Sequence, residues 1–285
     1  RLFLYCRGRR LDSEADANGQ FEEDDNEDDK EDTLTMTQPT LAHHLDRSVF
    51  ILAKPDTVFA YFQDSARWAT WWGAGSTIDP RPGGKVYVRY PNNVEGSGEV
   101  LEIAAPHRIV YTYGYASGQP FGPGESRVTI ALAREGAGTR LTLTHEFGDA
   151  ASRDMHVQGW RFQLSLFANV IANALHADAN ARADAWFAAW AETDDAKRVA
   201  ALASIATSDV RFGDRYSLLT GIDEISSHAG AAQRFMPGMS MVRNGEARQC
   251  LGTALVEWHV PGPDGTSKAK GTNAFTFDAE GKSTQ

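Results

Sequence analysis

The spacing of apolar residues changes along the chain. From residue 45 to residue 147, short runs rich in β-branched and aromatic residues are separated by Gly, Pro and Asn, which is typical of successive antiparallel strands. A helix is predicted from Pro55, because proline is tolerated in a first helical turn. The predicted strands are, in chain order, 45–52, 85–90, 98–103, 108–115, 126–134 and 139–147.

The apolar period then changes from two residues to 3.6. Trp160, Leu164, Phe167, Ile171 and Ala174 recur at helical spacing and predict one long apolar stripe. A helix of this length reaches across a whole sheet. We therefore expect the sheet to grip the helix, with a cavity between them.

A second pattern begins after residue 178. Two helices are predicted with a break near 193–195, and another at 222–234. Strands are predicted over "SMVRNGEARQCLG", "TALVEWHV" and "KGTNAFTFD". A strand beginning at Lys282 would be cut off after four residues. The expected organisation is an extension at 1–40, an α+β domain at 41–176 and a second α+β domain at 177–285 whose last strand is missing.

Charge is unevenly distributed. The net charge is −10, and residues 1–36 contain five basic and twelve acidic side chains. The stretch "FEEDDNEDDKED" is predicted to be disordered because it repels itself and has little to bury. The first methionine, Met36, suggests a natural start, with residues 1–35 as a non-native extension. Nothing resembles the basic footprint of a nucleic-acid-binding protein.

Membrane, disulfide and metal sites are not expected. No apolar run approaches the roughly 20 residues of a membrane helix, and the opening "RLFLYC" is too short for a signal peptide. We therefore expect a soluble, cytoplasmic protein. The two cysteines, Cys6 and Cys250, have no metal-ligand spacing. Cys250 is predicted to be a buried apolar residue rather than a nucleophile, and no cofactor is expected.

Several stretches of the first predicted domain occur in the order of a known family. They are "PDTVFAYFQDSARWATWWG", "DPRPGGKV", "GEVLEIAAPHRIVYTY" and the "GW" at 159–160. With these stretches the segment resembles the START-like (SRPBCC) superfamily, and within it the bacterial domains related to the activator of the heat-shock-90 chaperone ATPase. The resemblance implies a helix-grip fold with an internal apolar cavity.

Candidate ligand-binding residues in this cavity are mostly aromatic, since such rings provide apolar area and their polar tips orient a ligand. Two interpretations stay open for them, ligand binding and simple filling of the core. For the one histidine among them, a hydrogen-bonded core residue and a catalytic residue both stay open. The candidates are Trp72, Tyr111, Tyr113, His145, Trp160 and Phe167.

The second predicted domain carries a different set of family stretches. They are "WFAAWAETDD", "DVRFGDRYSLLTGIDEISSH", "FMPGMSM", "GTALVEWHV" and "KGTNAFTFDAEGK". The segment resembles the nuclear-transport-factor-2-like superfamily, in its SnoaL-like polyketide cyclase branch. The resemblance implies a cone-shaped sheet wrapped on helices and leaves a homodimer through this domain open.

An aspartate stands in an apolar row in "SDVRFGDRYSLLTG". If the stretch is one strand, Val210, Phe212, Asp214 and Tyr216 share a face. Phe212, Tyr216 and Trp258 are then candidate ligand contacts, with Trp258 pointing inward.

Similarity to the ketosteroid isomerases implies a base at Asp214 and hydrogen-bond donors at Trp186 and Asn273. Those enzymes use a tyrosine and a protonated aspartic acid in the two donor places. A buried base with a raised pKa beside two donors could abstract a proton next to a carbonyl, but indole and amide donors would make a weaker oxyanion hole. Three roles stay open for Asp214: catalytic base, part of a non-catalytic ligand site, or a residue that hydrogen-bonds its own turn.

The function expected from the sequence is binding of small apolar or polyketide-like molecules in internal cavities. For the second domain, an acid/base reaction of the cyclase or isomerase type is a further expectation. The alternative is a co-chaperone or stress-response protein that modulates the heat-shock-90 ATPase. The partner-binding domain that precedes this module in the eukaryotic activators has no counterpart here, which makes a chaperone partner the less favoured expectation.

Overall fold

A single antiparallel sheet dominates the first half of the chain. The computed structural model describes residues 40–262 and 264–285. The strands are β1 (His43–Ile51), β2 (Thr77–Ile78), β3 (Lys85–Arg89), β4 (Glu95–Ala104), β5 (Arg108–Tyr115), β6 (Ser126–Glu135) and β7 (Gly138–Phe147). They form a seven-stranded sheet in the order β1-β7-β6-β5-β4-β3-β2. Every predicted strand of this region is present, and only the two-residue β2 was not predicted.

Three helices and a short turn of 3-10 helix cover this sheet: α1 (Pro55–Phe59), the 3-10 turn (Ala60–Phe62), α2 (Ser65–Trp72) and α3 (Ala150–Leu175). The Asp149 carboxylate caps α3 by accepting a hydrogen bond from the Ser152 amide at 2.8 Å. The predicted apolar stripe is buried except for Ala174, which is exposed. Helix α3 packs on β1, β7 and α2, as expected for a sheet that grips a helix.

The second half of the described chain combines three helices with two small sheets. The helices are α4 (Ala179–Ala191), α5 (Asp195–Ile205) and α6 (Ile222–Phe235). The strands are β8 (Arg211–Gly213), β9 (Leu218–Thr220), β10 (Val242–Arg243), β11 (Arg248–Cys250), β12 (Thr253–Pro261) and β13 (Ser267–Thr276). Strand β12 pairs with β10, β11 and β13, while β8 and β9 form a separate hairpin. Ser283 forms isolated bridges with Phe277 and with Ala206.

Buried apolar side chains form two clusters. The first core runs from Leu45 to Ile171 in sequence and lies between the seven-stranded sheet and α1–α3. The second core runs from Ala179 to Phe277 and lies between α4–α6 and β12–β13. The fold class is therefore mixed α+β, consistent with the expected helix-grip arrangement followed by a further α+β region. The predicted boundary at 176/177 falls in the short turn between α3 and α4 and stays a prediction.

Some expectations lie outside the described residues, and one is corrected. The acidic stretch, Met36 and Cys6 all fall within residues 1–39, which the structure does not describe. Cys250 is a free cysteine with an exposed side chain, so its predicted burial is wrong. It lies at the end of β11, a three-residue strand whose first and last residues are exposed. None of the helices in 40–262 and 264–285 has the length and hydropathy needed to cross a lipid bilayer.

One charged side chain is fully buried in the second core. The Arg198 Nε donates to the Ser226 backbone oxygen at 2.9 Å, and Nη1 donates to the Glu192 backbone oxygen at 2.7 Å. Nη2 donates to the carboxylate of Asp195. A Cβ at Gly230 would lie 2.5 Å from Nη2, so glycine makes room for the guanidinium. Arg198 thereby joins the α4–α5 turn to α6.

Candidate functional site

The first core is centred on a group of four aromatic rings. The Trp68 ring centroid lies 5.0 Å from that of Trp71, 5.6 Å from that of Trp72 and 6.0 Å from that of Tyr111. Three of these residues come from α2 and the fourth from β5. From the opposite side, α3 contributes Trp160 and Phe167, with centroids 5.7 Å from Trp72 and 4.6 Å from Trp71 respectively. A helix, a strand and a second helix thus enclose one aromatic cluster.

Three polar atoms inside this cluster are buried without a hydrogen-bond partner. They are Nε1 of Trp71, Nε1 of Trp72 and the hydroxyl oxygen of Tyr111. Trp68 differs, because its Nε1 donates to the Tyr87 backbone oxygen at 3.2 Å. An unpartnered buried polar group destabilises a protein by about 1–3 kcal/mol. Such groups therefore need an explanation, and a bound molecule is one of the usual ones.

A pair of tyrosines lies beside these three groups. The hydroxyls of Tyr90 and Tyr113 are 2.8 Å apart, so one donates to the other. That bond uses one of the two hydroxyl hydrogens. Burial raises the pKa of both hydroxyls above the ordinary value for tyrosine, as it does for Tyr111. The three side chains are therefore neutral.

His145 belongs to a closed hydrogen-bond network. The Trp160 Nε1 donates to His145 Nδ1 at 2.9 Å. Because an indole nitrogen can only donate, Nδ1 is the acceptor and the imidazole proton is on Nε2. Nε2 then donates to the Ser126 Oγ at 2.8 Å, and Ser126 Oγ donates to the Tyr113 backbone oxygen at 2.8 Å. Burial lowers the pKa of His145 well below its usual value. The geometry is that of a hydrogen-bonded core histidine.

A second histidine has a similar arrangement one helical turn before Trp160. The Nδ1 of His156 is 2.7 Å from the Ser152 backbone oxygen, which can only accept, so Nδ1 carries the proton. Nε2 then accepts from the Tyr115 hydroxyl at 2.9 Å. Burial lowers the pKa of His156. Both histidines are therefore neutral, and both have their ring nitrogens occupied.

All six ligand-binding candidates predicted for the first region lie in the first core. Their role in binding stays a prediction, but the structure divides them into two groups. Trp72 and Tyr111 have unpartnered polar atoms, whereas His145, Trp160 and Tyr113 are already hydrogen-bonded. Phe167 provides apolar contact only.

Sequence reasoning missed some members of the cluster. Trp71 was not among the candidates, although it is adjacent to Trp72 and has the same unpartnered Nε1. A Trp-Trp pair at the end of an amphipathic helix was the available signal. Tyr90 comes from the loop after β3, and no local pattern pairs it with Tyr113.

The second core contains a comparable pair of indoles. Nε1 of Trp186 and Nε1 of Trp190 are both buried and unpartnered. The two residues are four apart on α4, so their rings share one helix face, with centroids 6.4 Å apart. Trp186 packs edge-on against Phe275, and Trp190 packs against Phe212 and the half-buried ring of His228. Trp190 was not predicted as a site residue, although its spacing from Trp186 was visible in the sequence.

The predicted inward orientation of Trp258 is confirmed. Its side chain lies on the same face of β12 as the buried residues Ala254 and Val256. Its Nε1 donates to the Asn273 Oδ1 at 2.9 Å, so that oxygen is occupied while the amide nitrogen keeps its hydrogens to donate. An open groove of about 540 Å³ runs beside Trp258 along the β12–β13 ladder.

The predicted burial of Asp214 is wrong. The stretch 208–221 is a hairpin, and Asp214 lies in its turn with an exposed side chain. Its Oδ1 accepts hydrogen bonds from the backbone amides of Tyr216 and Ser217, at 2.8 and 2.7 Å. This is the turn role that the sequence left open.

The same turn overturns the prediction for Tyr216. Its side chain is 81% exposed, with the Arg215 guanidinium over the ring, and it does not line the second core. Phe212 is half-buried against Trp190 and does contact the core. Of the predicted catalytic set, the structure therefore leaves Trp186 and Asn273 on the interior and places the intended base outside it.

Metal-binding residues do not cluster in the part of the chain that the structure describes. No group of three or more His, Cys, Asp or Glu side chains with a suitable arrangement occurs there.

Comparison with known proteins relates part of the chain to a family. Residues 52–172 match the family model described as "Activator of Hsp90 ATPase homolog 1-like protein". No curated protein sequence matches the chain.

Several solved structures are similar to part of the chain. An AHSA1-like protein of Rhizobium etli has 30% identity, covering 45% of this chain and 81% of that chain, with a TM-score of 0.37. CalU16 of Micromonospora echinospora has 26% identity, covering 45% and 75%, with a TM-score of 0.38. A putative isomerase of the SnoaL-like family from Agrobacterium tumefaciens has 25% identity, covering 36% and 88%, with a TM-score of 0.34.

Proposed function

We propose that the first core binds a small, largely apolar molecule between α2, β5 and α3. The observation that carries the proposal is the set of buried polar atoms without a protein partner on Trp71, Trp72 and Tyr111. Their rings surround Trp68 inside an aromatic cluster. Ligand sites typically combine an apolar, aromatic lining with a few polar groups that fix orientation. A bound molecule that paired with these groups would remove their destabilising effect.

Binding in this core requires some movement. Neighbouring rings are already in contact, with centroids 4.6 Å apart for Trp71 and Phe167 and 5.7 Å apart for Trp72 and Trp160. Cores are packed too densely to accept a further ring unchanged. A molecule therefore enters only when cluster side chains change rotamer or when α3 moves away from α2. We expect association to be slower than typical docking for this reason.

The second core supports the same kind of binding. Trp186 and Trp190 present two unpartnered indole nitrogens on one helix face, and Asn273 keeps an amide nitrogen free to donate. Proton abstraction by Asp214 is not part of the proposal, because that carboxylate is exposed and bonded to its own turn. Activation of the heat-shock-90 ATPase stays a prediction, which an ATPase assay with the chaperone would test.

A fluorescence titration tests binding and locates it. The chain has seven tryptophans, and replacing Trp186, Trp190 and Trp258 with Phe leaves only those of the first core. Fluorene, a planar hydrocarbon, is added while tryptophan emission is recorded for the parent and for this triple variant. The expected result is a saturable change in both proteins. No saturable change in either would contradict the proposal, and a change that disappears in the triple variant would assign binding to the second core.

A further inference from the structure

The unpartnered polar groups of the first core share one chemical property. Nε1 of Trp71 and Nε1 of Trp72 are indole nitrogens, which donate a hydrogen bond and cannot accept one. The Tyr111 hydroxyl also has a hydrogen without an acceptor. All of these groups can offer a hydrogen to a bound molecule.

The acceptors that two histidines and one backbone oxygen provide near these groups are already in use. Nδ1 of His145 receives the Trp160 indole hydrogen, and the backbone oxygen of Tyr113 receives the Ser126 hydroxyl hydrogen. Nε2 of His156 receives the Tyr115 hydroxyl hydrogen. A molecule that brought N–H or O–H groups into this core would find one unpaired acceptor among these groups, the Tyr111 hydroxyl oxygen, whereas an acceptor oxygen could meet any of the three donors.

The core also lacks a charge to pair with an ion. Among the described residues 40–176, the fully buried polar side chains include no carboxylate, lysine or arginine; they are Ser76, Ser126, Thr139, His145, Ser152, Gln163 and His176. The hydrogen-bond geometry holds His145 and His156 in their neutral forms. Moving an ion into such surroundings is far more costly than moving a neutral group.

We propose that the molecule bound in the first core is uncharged and apolar, and that it carries hydrogen-bond-accepting oxygens of the ketone, quinone or ether kind. This inference rests on the proposed function, since it names the class of molecule for that same site. The donors of Trp71, Trp72 and Tyr111 select an acceptor oxygen. The surrounding rings of Trp68, Trp160 and Phe167 select a planar apolar body.

Three planar probes of nearly equal shape separate these requirements. Fluorene has no polar group, 9-fluorenone adds an acceptor oxygen, and carbazole replaces the acceptor with an N–H donor. Equilibrium dialysis against the full chain gives the dissociation constant of each. We expect 9-fluorenone to bind about tenfold more tightly than fluorene, the gain of roughly one net hydrogen bond. Carbazole is expected to bind more weakly than 9-fluorenone, because only the Tyr111 hydroxyl among the three unpartnered groups can accept its N–H.

Substitutions link that preference to the named groups. Tyr111→Phe and Trp72→Phe each remove a donor and keep an aromatic ring, so each should reduce the preference for 9-fluorenone over fluorene several-fold. Tyr61→Phe is the matched control, because Tyr61 packs in the same core against Phe167 and lies under the Arg67 guanidinium, at the edge of the cluster. It should leave this preference unchanged.

The outcomes distinguish the inference from the function on which it rests. If fluorene binds as tightly as 9-fluorenone, or carbazole binds most tightly of the three, the core binds apolar molecules but the acceptor class is overturned. The inference also fails if Tyr111→Phe and Trp72→Phe both keep the parent's preference. If none of the three probes binds at concentrations up to their solubility, the proposed function itself is overturned.

Discussion

The two cores are both rich in aromatic rings but hold their polar groups differently. In the first core, a chain of neutral groups runs from Trp160 through His145 and Ser126 to a backbone oxygen. In the second core, the buried guanidinium of Arg198 donates to backbone oxygens of two other elements. The first arrangement orders a helix against a sheet without any charge. The second joins three helices through a single cation.

The comparison also shows which groups are free to meet a ligand. Both cores contain hydrogen-bonded polar groups that stabilise the packing and unpartnered indoles that do not. Residue type does not separate the two classes, since Trp68 and Trp160 are bonded while Trp72 and Trp186 are not. What separates them is whether each donor or acceptor already has a hydrogen-bond partner. His145 drew attention because histidines often act in catalysis, yet both of its ring nitrogens are occupied.

The largest expected effect concerns the buried cation. Replacing Arg198 with Met keeps most of the side-chain volume but leaves the Ser226 and Glu192 backbone oxygens without their donor. We expect the free energy of unfolding to fall by about 3 kcal/mol, measured by urea denaturation. Arg234→Met, an exposed position on α6, serves as the control and should change it by less than about 0.5 kcal/mol. Equal losses for the two variants would contradict the role assigned to Arg198.

A second prediction compares a bonded indole with an unpartnered one. Trp160→Phe replaces a buried indole with a smaller ring and leaves Nδ1 of His145 without a donor. Trp190→Phe makes the same replacement and leaves no new unpaired atom. We therefore expect Trp160→Phe to lower the free energy of unfolding by about 1–3 kcal/mol more than Trp190→Phe. Parallel urea titrations measure the difference. A larger loss of unfolding free energy for Trp190→Phe than for Trp160→Phe would contradict the different roles assigned to the two indoles.

The third prediction uses pH to test the neutral network. Since burial lowers the pKa of His145 in the folded protein, the unfolded chain binds a proton at this position below pH ~6.5 while the folded chain does not. The stability contributed by neutral His145 is thus complete above that pH and decreases as pH falls, by up to about 1.4 kcal/mol per pH unit.

Urea titrations between pH 7.5 and pH 5 measure this slope. His145→Asn should make it shallower, because an amide can accept from Trp160 without titrating, and His156, whose pKa is also lowered by burial, accounts for part of what is left. His107→Asn removes an exposed histidine and should keep the parent's slope. If the His145→Asn and parent slopes coincide, the acid sensitivity has another origin.

The smallest expected effect distinguishes two tyrosines on one strand. Tyr111→Phe removes a buried hydroxyl with no partner, so the free energy of unfolding should stay the same or rise by up to about 1 kcal/mol. Tyr113→Phe removes one member of the Tyr90–Tyr113 bond and should lower it by about 1 kcal/mol. Thermal unfolding without added ligand gives both values. A loss for Tyr111→Phe equal to that for Tyr113→Phe would show that the Tyr111 hydroxyl is paired in solution.

Much of the fold was predictable from the sequence because strand and helix periods are local signals. The strands from 85 to 147 and the apolar stripe of α3 follow directly from alternation and from 3.6-residue spacing. The hairpin at 208–221 was missed because alternation was extended through Asp214. The Asp214 side chain instead accepts hydrogen bonds from two backbone amides and closes a turn. The preceding Gly213 was a local signal for that outcome.

The candidate sites were less predictable, because pairing of polar atoms depends on tertiary contacts. The ring nitrogens of His145 are occupied by Trp160 and Ser126, which lie 15 and 19 residues away in sequence. No periodicity shows that Tyr90 reaches Tyr113, or that the Trp71 and Trp72 nitrogens lack partners. The sequence shows which residues have side chains suited to binding or catalysis. It does not show which of their polar atoms already have hydrogen-bond partners.

Helix α3 has a mechanical consequence for any movement in the first core. It is a single helix of 26 residues, about 39 Å long. Asn169, near its far end, accepts from the Leu251 amide at 3.0 Å, and the ring of His176 at its C-cap packs on Phe277. Trp160 and His176 are about 24 Å apart along the axis, so a tilt of roughly 5° about one shifts the other by about 2 Å. Unless the pivot lies at His176 itself, a tilt of α3 that makes room beside Trp160 therefore also displaces the contact between His176 and Phe277.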